Sequence, residues 1–143
     1  MNPIETTRER QLCALMESCG DAVLRSCILL CGHPNHARQA ARRVFMLAAA
    51  EPAMPQPLGR GETPRRLLAL VMRHCPCPLL PPRPQDCAPP LSGFLALPPA
   101  QRRVAVLCCY HGLTAADAAS LLRMPTAAAA RHLARARRRL GRL

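Results

Sequence analysis

The chain has 143 residues, half of them hydrophobic, and a formal net charge of +12. Its 20 basic residues are all arginine, aromatics make up 2%, and tryptophan is absent, so leucine, alanine, valine and cysteine must fill any core. That length suits one domain or two small ones. No apolar run reaches the roughly 18 residues of a membrane span, and no signal-peptide pattern opens the chain.

Eight acidic residues are scattered along it, with no paired carboxylates, no nucleophile–base set and no phosphate-binding glycine loop. Neither an enzyme nor a cofactor is expected. Nine cysteines, an odd number without a secretory signal, fit free thiols in a reduced cytoplasm. The charge is uneven. From Leu97 onward nine arginines face Asp117 alone, giving +8, whereas up to His74 ten arginines face six acids, giving +4. Such a balance points to a polyanionic partner met mainly by the C-terminal part.

In chain order, Thr6 to about Leu30 reads as helix, with Leu12, Leu15, Met16, Val23, Leu24 and Ile28 at helical spacings and Gly20-Asp21 as punctuation. Cys31-Gly32-His33-Pro34-Asn35 signals a turn. Ala37, Ala40, Ala41, Val44, Phe45 and Ala48 then make a second apolar stripe, with Arg38, Arg42 and Arg43 outside it. Glu51 to Thr63 is a connection, and Pro64 suits the first turn of a third helix, Arg65 to His74, with Leu67, Leu68 and Val71 inward.

Cys75 to Pro90 holds seven prolines in sixteen residues and reads as a semi-rigid extended tether. The expected organisation is a helical domain over 1–74, a linker over 75–90 and a second helical domain over 91–143. In the second domain Pro98-Pro99 opens a helix through Tyr110, with Val104, Leu107 and Cys108 inside. Thr114, with Asp117 three residues on, resembles a capping box ahead of Ala118, Leu121 and Leu122. Pro125 breaks that short helix, and Thr126 is expected to cap the next, which runs to Leu140 or Gly141.

The last helix carries the most informative pattern. Ala129, Leu133, Ala136 and Leu140 are spaced four, three and four, while Arg131, Arg135, Arg138 and Arg142 share that spacing offset by two. At about 100° per residue the arginines lie roughly opposite the apolar stripe. Helix, tight turn and basic helix describe a helix-turn-helix whose second helix enters the DNA major groove. With no strand alternation anywhere, the fold is expected to be all-α. The residues expected to touch DNA are Thr126, Arg131, His132, Arg135, Arg138, Arg139 and Arg142, with Arg102 and Arg103 from the preceding helix.

A second constellation is Cys27, Cys31, His33 and His36, four zinc-capable side chains in ten residues. Cys-x3-Cys on a helix followed by His-x2-His lacks the usual knuckle spacing, so core cysteines beside a turn is the preferred reading and no metal is expected. An interaction module held by cysteines or zinc stands as the alternative of another class.

Leu97-Pro98-Pro99-Ala100-Gln101-Arg102-Arg103-Val104, then Tyr110-His111-Gly112-Leu113-Thr114, Asp117-Ala118-Ala119, Leu121-Leu122 and Arg135-Ala136-Arg137 with Leu140 resemble region 4 of bacterial sigma factors. The likeness is to the small extracytoplasmic-function type of the sigma-70 family. More faintly, Asn35 to Phe45 and Leu67 to His74 are similar to region 2. The resemblance implies a transcription initiation factor whose second domain reads the upstream promoter element and touches the polymerase flap. Its first domain would dock core RNA polymerase through Arg38, Gln39, Arg42, Arg43 and Phe45 and bind the downstream element. It also leaves room for an anti-sigma protein.

The departures are specific. The family's polymerase-binding helix is acidic, whereas here it carries Arg38, Arg42 and Arg43. Aromatics that would stack on unpaired bases are missing near Arg65 to His74, and Ala127 to Ala130 stand where polar base-reading residues belong. A degenerate sigma-like regulator that binds DNA without supporting initiation is therefore the competing reading.

Overall fold

The computed structural model describes residues 3–58, 62–79 and 91–141, with the side chains of residues 3–6 excepted. The described residues contain helices and no strand. In chain order they are α1 (Pro3–Cys31), α2 (Pro34–Ala50), α3 (Arg65–His74), α4 (Leu91–Leu95), α5 (Pro99–Ala105), α6 (Ala115–Leu122) and α7 (Thr126–Leu140). A π-helical turn, Val106–Tyr110, continues α5 without a break.

α1 runs through Gly20 uninterrupted, so the expected punctuation there does not occur. A lone glycine costs about 1 kcal/mol against alanine, and the buried row Leu15, Cys19, Val23, Cys27 and Leu30 on both sides of it outweighs that cost. The helix ends where Gly32 takes φ 72°, a left-handed value that glycine adopts without strain. Its N–H closes back on the Ile28 carbonyl at 2.7 Å. Pro34 opens α2, and the His33 ring accepts from the His36 N–H. The buried face of α2 is mostly alanine, with Val44 and Phe45 as the larger members, which lets its backbone come close to α1. α3 buries Leu67, Leu68, Val71 and Met72.

The two halves are not separated. One hydrophobic cluster joins Leu15, Val23, Leu30, Val44 and Leu68 to Leu97, Val104, Leu107, Leu133 and Ala136. Of the proline-rich stretch, residues 80–90 lie outside the described residues, but the part before them is anchored. Cys75 is buried and its thiol donates to the Cys27 carbonyl at 3.6 Å, while the Cys77 thiol donates to the Pro99 carbonyl at 3.8 Å.

Arg102 is the side chain on which these pieces converge. It is fully buried, 0% exposed. One terminal nitrogen donates to the Leu30 carbonyl at 2.7 Å, the Pro78 carbonyl at 3.0 Å and the Cys77 sulfur at 3.5 Å. The other donates to the Leu97 carbonyl at 2.9 Å and the Leu95 carbonyl at 3.4 Å. Leu30 and Leu95 belong to the last turns of α1 and α4, where carbonyls lack intrahelical partners and the helix dipole is negative. A buried cation is tolerated here without a carboxylate because two helix ends solvate it.

A second tie is polar. Ser26 Oγ donates to the Ala22 carbonyl at 2.7 Å and lies 2.7 Å from His111 Nε2. With its one proton spent on Ala22, Ser26 accepts from the ring, so His111 carries its proton on Nε2. Burial lowers the His111 pKa to about 4. Glu62 and Arg65 line the groove beside it.

Two outcomes follow. Arg102→Ala strands the carbonyls at both helix ends and should cost about 2–4 kcal/mol in urea unfolding; Arg102→Lys, lacking the planar fork, should recover only part. Because the unfolded chain takes up a proton at the ordinary histidine pKa and the folded ring does not, stability should fall as pH drops from about 6.5 toward 4. The His111 share is roughly 1–2 kcal/mol after allowing for its partial exposure. Thermal unfolding across that window should be flatter in His111→Gln.

Candidate nucleic-acid interface

The segment from Gly112 to Leu140 builds a helix-turn-helix from local rules. Gly112 has φ 74° and redirects the chain after the π-helical turn, where the Leu113 N–H reaches the Leu107 carbonyl at 3.0 Å. Thr114 Oγ1 accepts from the Asp117 N–H at 3.1 Å, the N-terminal cap expected from the Thr–Asp spacing. α6 ends at Arg123, a non-glycine residue at φ 55°. The Met124 N–H then closes on the Ala119 carbonyl at 3.0 Å, and a left-handed residue followed by proline forms the tight turn.

The cap of α7 is one residue earlier than expected. Pro125, extended at φ −61° and ψ 144°, occupies that position without a side-chain hydrogen bond, and Thr126 is the first helical residue. Proline's fixed φ already suits the step into a helix. Thr126 is thus exposed at a helix N-terminus, where free N–H groups and the dipole favour an anion.

The two flanks of α7 are cleanly divided. Ala129, Leu133 and Ala136 are buried against α5 and α6, and Leu140 is half-buried. Arg131, Arg135, Arg138 and Arg139 are exposed. Among the described residues none of them has a carboxylate within ion-pairing distance. The only acid from Leu97 onward, Asp117, is held by Arg65 of α3 at 3.0 Å. The result is an uncompensated guanidinium row on a rigid helix, suited to phosphate oxygens and guanine edges.

Other expected contacts are distributed differently. His132 is half-buried with Nδ1 shielded and unpartnered, so it sits at the border of the face. Arg103 is half-buried and lines a groove between α3 and α6, away from the α7 row. Arg102, expected at the DNA, is instead fully buried with both terminal nitrogens bound to backbone carbonyls, and cannot reach a phosphate. Arg142 lies outside the described residues. On α2, Arg38, Gln39, Arg42 and Arg43 are exposed, but Phe45 is only 5% exposed. It packs in the core because its position continues the Ala37–Val44 stripe, so it offers little surface to a partner.

Among the described residues no three His, Cys, Asp or Glu side chains are placed to hold a metal ion. Cys31 and Cys75 are held protonated, Cys31 chiefly by its hydrogen bond with Cys75 and Cys75 chiefly by its hydrogen bond to Cys27, with burial adding to both. Among the described residues no helix is long and apolar enough to cross a membrane.

Residues 94–140 match the family model for sigma-70, region 4. The matched segment begins within α4 and ends with α7, so it contains the helix-turn-helix and the exposed arginine row, and it is about a third of the chain. No curated protein matches the chain.

If α7 lies in a groove, Arg135→Ala should weaken duplex binding by about 1–3 kcal/mol where the guanidinium meets a base edge. Ala129→Pro, at a fully buried helical position, should abolish binding by breaking α7. Fluorescence anisotropy with a labelled duplex measures both.

Proposed function

We propose that this chain is a sigma-like transcription initiation factor of the extracytoplasmic-function type, which brings core RNA polymerase to promoter DNA. One observation carries the reading. Within the segment that matches sigma-70 region 4, α7 offers an exposed arginine row opposite a buried apolar stripe. Thr126, Arg131, Arg135, Arg138 and Arg139 contact the duplex, with His132 at the margin. Phosphate contacts dominate, because Ala127 to Ala130 contribute no base-reading side chains.

In this reading the N-terminal part, residues 1–74, acts as a region 2-like domain, and residues 75–90 are the proline-rich linker between it and the DNA-binding domain. The exposed face of α2, with Arg38, Gln39, Arg42 and Arg43, is its polymerase contact. Its positive sign requires an acidic patch on the polymerase, the reverse of the family's pairing. The protein works in the cytoplasm, without metal or cofactor, and an anti-sigma protein is a natural regulator.

That reversed charge favours one competing reading, a sigma-like DNA-binding regulator that does not support initiation. Purified chain mixed with core polymerase separates the two. Co-elution at micromolar concentration, with promoter-dependent transcripts in a reconstituted assay, is the expected result. Duplex binding without co-elution or transcripts would leave only the regulator.

A further inference from the structure

Three arginines that the DNA-reading helix does not use face one groove. Arg73 comes from the last turn of α3, Arg103 from α5 and Arg123 from the left-handed turn after α6, and between them lie Ala69, Met72, Leu121 and Leu122. The groove therefore spans the two halves of the chain. Its floor is apolar: Met72 is buried, and Ala69, Leu121 and Leu122 are half-buried. Arg73 and Arg123 are exposed, while the Arg103 Nε is shielded from solvent and has no hydrogen-bond partner.

Among the described residues no ion pair balances this cluster. The described ion pairs are Arg65–Asp117 and Arg66–Glu51, and they occupy the acids of the neighbouring elements. Asp117 lies on α6 itself, yet it is turned to Arg65 at the other end of that helix. Three like charges over low-dielectric walls concentrate a positive potential, and guanidinium forks match phosphate oxygens in pairs.

We infer that the Arg73–Arg103–Arg123 groove is an anion site for a phosphate group, and that its occupant ties the N-terminal half to the helix-turn-helix. The phosphate belongs either to a nucleic-acid backbone or to a free phosphate ester. The groove is separate from the α7 row and does not depend on what that row reads.

Pyrophosphate is the probe, with the full chain melted in pyrophosphate and in sodium chloride of equal ionic strength. The wild type should melt about 4–8 °C higher in pyrophosphate. Arg73→Gln/Arg123→Gln, two exposed positions, should lose that gain while melting in chloride no lower than the wild type, since like-charge repulsion is relieved. The same variant measured against a labelled duplex identifies the source. Weaker binding with a salt slope reduced by about one to two means the backbone of nucleic acid, and unchanged binding means a free ester. An equal melting temperature in both salts, or an equal pyrophosphate gain in the double variant, would overturn the inference.

Discussion

The arrangement depends on a single buried guanidinium. A protein whose positive charge is all arginine, with few acids to pair it, must send its cations outward unless backbone can solvate them. Arg102 is the exception: the carbonyls of Leu30, Pro78, Leu95 and Leu97 surround it. Because those carbonyls come from α1, the start of the proline-rich stretch, α4 and the loop before α5, satisfying one charge fixes four segments. The orientation of α5, and through it of α6 and α7, follows from that geometry.

The scarcity of aromatics sets the second constraint. Without large rings, burial per residue is small, and the helices compensate by packing alanine, cysteine and valine closely. Ala129 and Ala136 on α7, and Ala37, Ala40 and Ala48 on α2, are interior for this reason. A helix seated on small residues sits low, so its opposite flank is held rigidly and its arginines project with little freedom. The free-energy margin in such a core is modest, and the Ser26–His111 and Arg102 ties across the halves matter correspondingly more.

Helices α2, α3, α6 and α7 were legible in the sequence because each is written twice, once in apolar spacing and once in its boundary residues: Pro34, Pro64, the Thr114–Asp117 pair and Pro125. The arginine face of α7 was legible for the same reason. What escaped was tertiary. Nothing in Gln101-Arg102-Arg103 distinguishes an arginine bound for solvent from one bound for helix ends, since the carbonyls that solvate Arg102 lie up to 72 residues away. The five-residue α4 is too short to carry a period. Proline density predicted a tether over 75–90, but the burial of Cys75 and the contacts of Cys77 and Pro78 depend on partners in α1 and α5. Phe45 was placed by resemblance on a docking face, although its own apolar stripe already sent it inward.

The central claim is that the exposed flank of α7 lies along duplex DNA while the rest of the chain holds it there. A photo-crosslinking amino acid placed at Ala134, exposed on α7, and in a second sample at Ala14, exposed on α1, tests it directly. With a labelled duplex at low salt, crosslinks should form from position 134 and not from position 14. Equal crosslinking from both positions, or none from 134 while the duplex is bound, would contradict the account.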